Sequence, residues 1–124
     1  MATKVLIVED DLLNRMFYEA VLRQRGYDLL LVDDGARVME AVEQFAPDLI
    51  TMDIHLPNVS GRKLIRQIAR NPATAHIPIL AITAFAGKRD EADIRMAGAR
   101  AYLAKPLSIE ALLREVDGLL EGAA

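Results

Sequence analysis

The chain predicts an α/β fold, a doubly wound parallel sheet with helices on both faces. Three observations carry this. Short apolar runs recur along the chain, a stretch with helical spacing follows each, and glycine or proline stands at the boundaries. Strict alternation of strand and helix is the pattern of a parallel sheet, with right-handed crossovers.

The first apolar run is Val5-Leu6-Ile7-Val8. A continuous run of that length suits a strand buried on both faces. Met16, Phe17, Ala20, Val21, Leu22 and Arg23 then mark a first helix. The second run, Leu29-Leu30-Leu31-Val32, precedes a helix carrying Val38, Met39, Ala41, Val42 and Phe45. The third, Leu49-Ile50-Thr51-Met52, precedes Leu64, Ile65 and Ile68, with Ser60 placed to cap that helix. The fourth, Ile79-Leu80-Ala81-Ile82, precedes a helix with Ala92, Ile94 and Met96. The weaker fifth, Ala101-Tyr102-Leu103-Ala104, leads into a last helix that starts near Ser108 and carries Leu112, Leu113, Val116, Leu119 and Leu120. Gly26, Gly35, Pro47, Gly61, Pro72, Pro78, Gly98 and Pro106 punctuate the boundaries. Residues 121–124 read as a fraying end.

The length of 124 residues is that of one domain, expected to span 1–124 with no output domain after Leu120. A hydrophobic content of 52% is enough for a core, which argues against disorder. Eighteen acidic residues against 15 basic ones give a net charge of -3, which argues against bulk attraction to nucleic acid. Without cysteine, neither a disulfide framework nor a thiolate metal site can form, and a cytoplasmic location is expected. No stretch approaches about 18 consecutive apolar residues, so membrane insertion is not expected.

In open parallel sheets, ligands bind beyond the carboxyl ends of the strands. Glu9-Asp10-Asp11 ends the first strand here, Asp53 the third, Thr83 the fourth and Lys105 the fifth. Parallel strands bring these side chains to one sheet edge. Crowded carboxylates repel one another and raise their pKa values, and a hard divalent cation relieves the repulsion. Magnesium takes oxygen ligands, keeps waters, and uses one or two carboxylates with phosphate oxygens. Lys105 offers a point charge to a phosphate oxygen, Thr83 a hydroxyl donor, and Asp53 a nucleophile for an acyl phosphate. Singly, each has a plainer reading. Asp11 and Asp53 are of the type that caps helices or turns, and Thr83 and Lys105 are ordinary in a strand and a loop. The joint arrangement at four strand ends is what points to phosphoryl chemistry.

The strings VLIVEDD, LITMDIHLPNVSG, TAFA from Thr83 and KP at Lys105-Pro106 together resemble the receiver domain of bacterial two-component response regulators. The resemblance covers essentially the whole chain, in the family's order and spacing. It implies a flavodoxin-like (βα)5 sandwich of strand order 2-1-3-4-5. It implies Asp53 as phosphoacceptor, with magnesium or manganese held by Asp10, by Glu9 through water, by Asp53 and by the backbone carbonyl of His55. Thr83 matches the switch hydroxyl, Tyr102 the aromatic that follows it inward, and Lys105 the phosphate-binding lysine, whose bond to the next proline is cis in the family. Tyr102 also reads as a half-buried strand tyrosine. His55 and Phe85 hold positions that tune phosphate lifetime. The His55 side chain, beside an acidic cluster, can be read as a metal ligand or general base, but is expected to point outward; Phe85 is expected to shield the phosphoryl group, and Ala84 to leave the approach open. Slow self-dephosphorylation follows as an expectation.

The same resemblance implies a histidine kinase or histidine phosphotransfer protein as donor and a kinase or adaptor as downstream reader. Leu13 and Phe17 share a helical face, and with Pro106 and Leu107 are expected to form the donor-docking patch, although Phe17 reads equally as core. Lys88, Arg89, Ile94, Arg95 and Tyr102 are the expected output surface. A monomer or weak dimer is expected. Phosphorylation aside, no turnover of an outside substrate is expected. An aspartyl-phosphate phosphatase would carry a second Asp where His55 stands, and a cap domain. A flavin carrier would need a phosphate-cradling loop where Glu9-Asp10-Asp11 would repel phosphate. The intact acidic cluster weighs against a module indifferent to phosphorylation.

Overall fold

Five strands pair in parallel in the computed structural model, which describes residues 2–84 and 87–122. They are β1 (Lys4–Val8), β2 (Asp28–Val32), β3 (Leu49–Asp53), β4 (Ile79–Thr83) and β5 (Ala101–Ala104), in the order β2-β1-β3-β4-β5. The helices are α1 (Leu12–Arg23), α2 (Val38–Phe45), α3 (Gly61–Arg70), α4 (Lys88–Ala97) and α5 (Ile109–Gly122). A short 3-10 turn, Gly35–Arg37, precedes α2 and was not legible in the helical spacing. Among the described residues no helix is long and apolar enough to cross a membrane.

Successive strand side chains alternate between faces, and the core divides accordingly. Leu6, Val8, Ile50, Met52, Ile79 and Ala81 pack with α2, α3 and α4 through Val42, Ile65 and Ile94. Val5, Ile7, Leu49, Leu80 and Ile82 pack on the other face with α1 and α5 through Leu22, Leu112 and Val116. Complete burial of one such side chain contributes about 1.5–3 kcal/mol. The middle strands β1, β3 and β4 are buried almost throughout, as continuous apolar runs require. β2 departs from that expectation: it lies at the sheet edge, and Leu29, Leu30 and Leu31 are only half-buried.

Caps fix where three helices begin. Asp11 Oδ2 accepts from the Asn14 N–H at 2.9 Å, Ser60 Oγ from the Lys63 N–H at 3.4 Å, and Ser108 Oγ from the Ala111 N–H at 3.0 Å. Each such bond satisfies one of the orphan donors of a first helical turn. Gly61 opens α3 directly beneath the end of β3. A Cβ there would collide with the Asp53 carbonyl oxygen and Ile54 Cα. The missing side chain therefore lets α3 approach the loop that carries Asp53.

Candidate functional site

Backbone pairing continues just past the strand ends and fixes the loops there. The Glu9 N–H donates to Val32 O at 3.0 Å, the Ile54 N–H to Ile82 O at 2.9 Å, and the Lys105 N–H to Thr83 O at 2.7 Å. The expected side chains therefore meet at one edge. Glu9, Asp10 and Asp53 each offer a carboxylate oxygen, all within 4.8 Å of one another. Glu9 and Asp53 are buried, and Asp10 is exposed. Asp11 does not join them, because its carboxylate is committed to the α1 cap.

Lys105 enters from the loop after β5. Its Nζ lies 3.0 Å from Glu9 Oε1 and 3.5 Å from Asp53 Oδ2. Burial, followed by hydrogen bonding to Asp53, raises the Glu9 carboxyl from 4.5 to about 7, against the opposing pull of Lys105. Burial alone would lower Lys105. Its pairing with Glu9 and the charge of Asp53 outweigh that and hold the ammonium above its ordinary value. The Lys105-Pro106 bond is cis, as the family pattern implies.

Thr83 is fully buried at the end of β4. Its Oγ1 lies 3.0 Å from His55 Nε2, while the His55 backbone N–H donates to Asp53 Oδ1 at 3.0 Å. This corrects the expectation that the His55 side chain points away. The residue is exposed, but its ring turns back across the gap between the β3 and β4 loops. Tyr102 is half-buried on β5. Burial and then the charges of Asp90 and Glu91 raise its hydroxyl, and a hydrogen bond with Thr83 works against them.

Two residues escaped the sequence reading. Arg15 Nη1 donates to the backbone carbonyls of Glu9 at 3.2 Å and Asp10 at 2.9 Å, so a guanidinium braces the acidic loop from behind. Tyr18 is buried beside the cluster, where burial, the charges of Glu9 and Asp53 and a hydrogen bond to Glu9 push its hydroxyl up. Asn14 and Tyr18 lie one helical turn apart on α1, a spacing that could have drawn notice alongside Leu13 and Phe17.

The expected docking residues separate. Phe17, Pro106 and Leu107 line a hollow of about 470 Å³ that reaches Lys105. Phe17 is half-buried and also packs against the α1–α5 side of the core, which supports its reading as core. Leu13 is 75% exposed and lies outside that hollow, beside the exposed Leu12 and Met16. On the other side, Lys88, Arg89 and Arg95 are exposed, Arg95 being paired with Glu91 at 2.8 Å. Ile94 is a correction: it is wholly buried against the sheet and belongs to no surface. Ala84 is exposed, and Phe85 lies outside the described residues.

The donor set suits a hard divalent cation. Three carboxylates converge, and buried Glu9 Oε1 makes no aligned hydrogen bond, facing the Lys105 ammonium at 3.0 Å while Oε2 accepts from the Asp11 N–H at 3.2 Å.

Comparison with known proteins agrees with this geometry. The response regulator receiver domain family matches residues 5–117. The chain is 36% identical over 123 residues to the polar-differentiation response regulator DivK of Brucella anthropi, covering 99% of this chain and 100% of that one. DivK of Brucella ovis is likewise 36% identical. A crystal structure of a putative response regulator from Chloroflexus aurantiacus superposes with a TM-score of 0.92 at 30% identity, covering 98% of this chain and 99% of that one. A CheY-like receiver domain protein from Methanospirillum hungatei superposes with a TM-score of 0.91 at 23% identity, covering 99% and 97%, a likeness of fold.

Proposed function

Since the chain belongs to the response regulator receiver domain family, we propose that it is a single-domain phosphorylation switch whose acceptor is Asp53. The observation that carries this reading is the placement of a buried Asp53 within 4.8 Å of Glu9 and Asp10 and 3.5 Å from the Lys105 ammonium. An Asp53 carboxylate oxygen attacks the phosphorus of a phosphohistidine on a kinase or phosphotransfer protein. The P–N bond breaks, the imidazole leaves with its electron pair and takes up a proton, and an acyl phosphate remains on Asp53. Glu9, Asp10, Asp53 and the His55 carbonyl would hold magnesium, which supplies charge neutralisation for the transferring phosphoryl group when bound. Lys105 is placed to turn from the carboxylates to a phosphoryl oxygen. The buried setting strengthens each of these interactions.

The phosphoryl group adds roughly -1.5 to -2 charge and new acceptor oxygens. Thr83 then donates to one of them, and Tyr102, its hydrogen-bonding neighbour, follows. The signal passes to the surface of α4, β5 and α5, where a kinase or adaptor protein reads it. The likeness to regulators named for polar differentiation supports a signalling role of that kind. The hollow at Phe17, Pro106 and Leu107 is where the donor docks.

The test is incubation with acetyl phosphate and magnesium, followed by intact-mass analysis of the wild type and Asp53→Ala. One added phosphoryl mass in the wild type alone, lost on chelation, is the expected result. No addition to either protein would sink the switch and favour a module that binds partners without phosphorylation.

A further inference from the structure

His55 holds two parts of the site at once. Its backbone N–H donates to Asp53 Oδ1 at 3.0 Å, and its Nε2 meets Thr83 Oγ1 at 3.0 Å. One residue therefore joins the acceptor carboxylate to the switch hydroxyl. A threonine hydroxyl has a single proton and a limited set of directions. Thr83 is fully buried, so its hydroxyl gains much from each partner and loses much without one. In this structure it is turned toward the His55 ring, and Tyr102 is its neighbour on the β5 side. Donation to a phosphoryl oxygen on Asp53 requires Oγ1 to turn from that ring.

We propose that the His55 side chain is a positioning residue that latches Thr83 in the resting state, so that release from His55 is part of the switching step. The proposal rests on the reading of Asp53 and Thr83 given above. It concerns the ring alone, which any substitution removes while leaving the backbone carbonyl in place. A latch on one state lowers the population of the other, and with it the apparent affinity for whatever favours the other. Removing the ring therefore favours the active arrangement. Because His55 is exposed, its truncation leaves no core cavity.

The experiment compares the wild type, His55→Ala and His55→Gln by NMR, following the Thr83 methyl and Tyr102 ring signals. Each protein is titrated with beryllofluoride in saturating magnesium. In His55→Ala the resting Thr83 and Tyr102 signals are expected to lie nearer their activated positions. Half-saturation should come at about five-fold less beryllofluoride, the size of one net hydrogen bond. Gln carries a nitrogen of similar reach and should restore wild-type behaviour. Resting signals and affinity unchanged in His55→Ala would overturn the latch, as would weaker binding or a Gln variant that behaves like Ala. A wild type that fails to respond to beryllofluoride would instead overturn the reading of Asp53. The resting spectra of the three proteins would still decide whether the ring holds Thr83.

Discussion

Lys105 sits nearer to Glu9 than to Asp53: its Nζ is 3.0 Å from Glu9 Oε1 and 3.5 Å from Asp53 Oδ2. The ammonium thus rests on the one oxygen of a fully buried carboxylate that makes no aligned hydrogen bond, the other oxygen accepting from the Asp11 N–H at 3.2 Å. Removing one side of such a pair strands the other. Lys105→Met should cost about 1–3 kcal/mol, below the figure for a fully buried pair because the lysine side chain is 23% exposed. Glu9→Gln in the same chain should recover part of that loss. A double-mutant cycle from urea melts measures the coupling, and additive losses would show that the two residues do not support one another.

The Glu9 carboxyl gives stability a pH dependence of known sign. Its folded value of about 7 lies above its ordinary 4.5, so the folded chain binds that proton more tightly than the unfolded chain does. The resulting stability is fully present below about 4.5 and is lost as the pH rises through about 7. Urea midpoints measured from about pH 5 to about pH 8 should fall in the wild type more than in Glu9→Gln. Magnesium should raise the midpoint, most at the alkaline end where Glu9 is ionised, and a chelator should reverse the gain.

Thr83→Ala tests the proposed acceptance apart from the proposed switching. Asp53 and Lys105 keep their positions in that variant, so acetyl phosphate should still add one phosphoryl mass. The Tyr102 ring signals should no longer move on phosphorylation, since the hydroxyl that links them to Asp53 is gone. A Tyr102 response of wild-type size would show that Thr83 is no part of the relay.

Two residues of α4 should respond very unequally to truncation. Ile94 is wholly buried, and Ile94→Ala should cost about 2–5 kcal/mol. Met96 is 87% exposed, and Met96→Ala should change stability by less than about 0.5 kcal/mol. Chemical denaturation of both variants checks the pair.

Gly61→Ala should destabilise by about 1–3 kcal/mol, because the added Cβ meets the Asp53 carbonyl and Ile54 backbone, which cannot swing aside like a side chain. The variant should also take up phosphoryl groups more slowly than the wild type in the same mass assay.

Much of this was legible in the sequence because its physics is periodic or positional. Continuous apolar runs marked β1, β3 and β4, and parallel alternation placed Glu9, Asp53, Thr83 and Lys105 at one edge. The caps at Asp11, Ser60 and Ser108 were legible for the same reason. What stayed hidden depends on rotamers and on neighbours far apart in sequence. The His55 ring bonds to a residue 28 positions away. Arg15 reaches back to backbone carbonyls, which no side-chain pattern records. Ile94 stood among charged residues, and only the packing of α4 on the sheet shows that it faces inward.

The sheet divides the apolar interior into two compartments, one against α1 and α5 and the other against α2, α3 and α4. Side chains in one compartment do not touch those in the other, so their stability effects should add. The surface of α1 that carries Phe17 and the β5 surface that carries Tyr102 are seated in different compartments. Descendants of this sequence can therefore repack the interior beneath one surface while the side chains beneath the other keep their places, and the two faces are free to drift at separate rates.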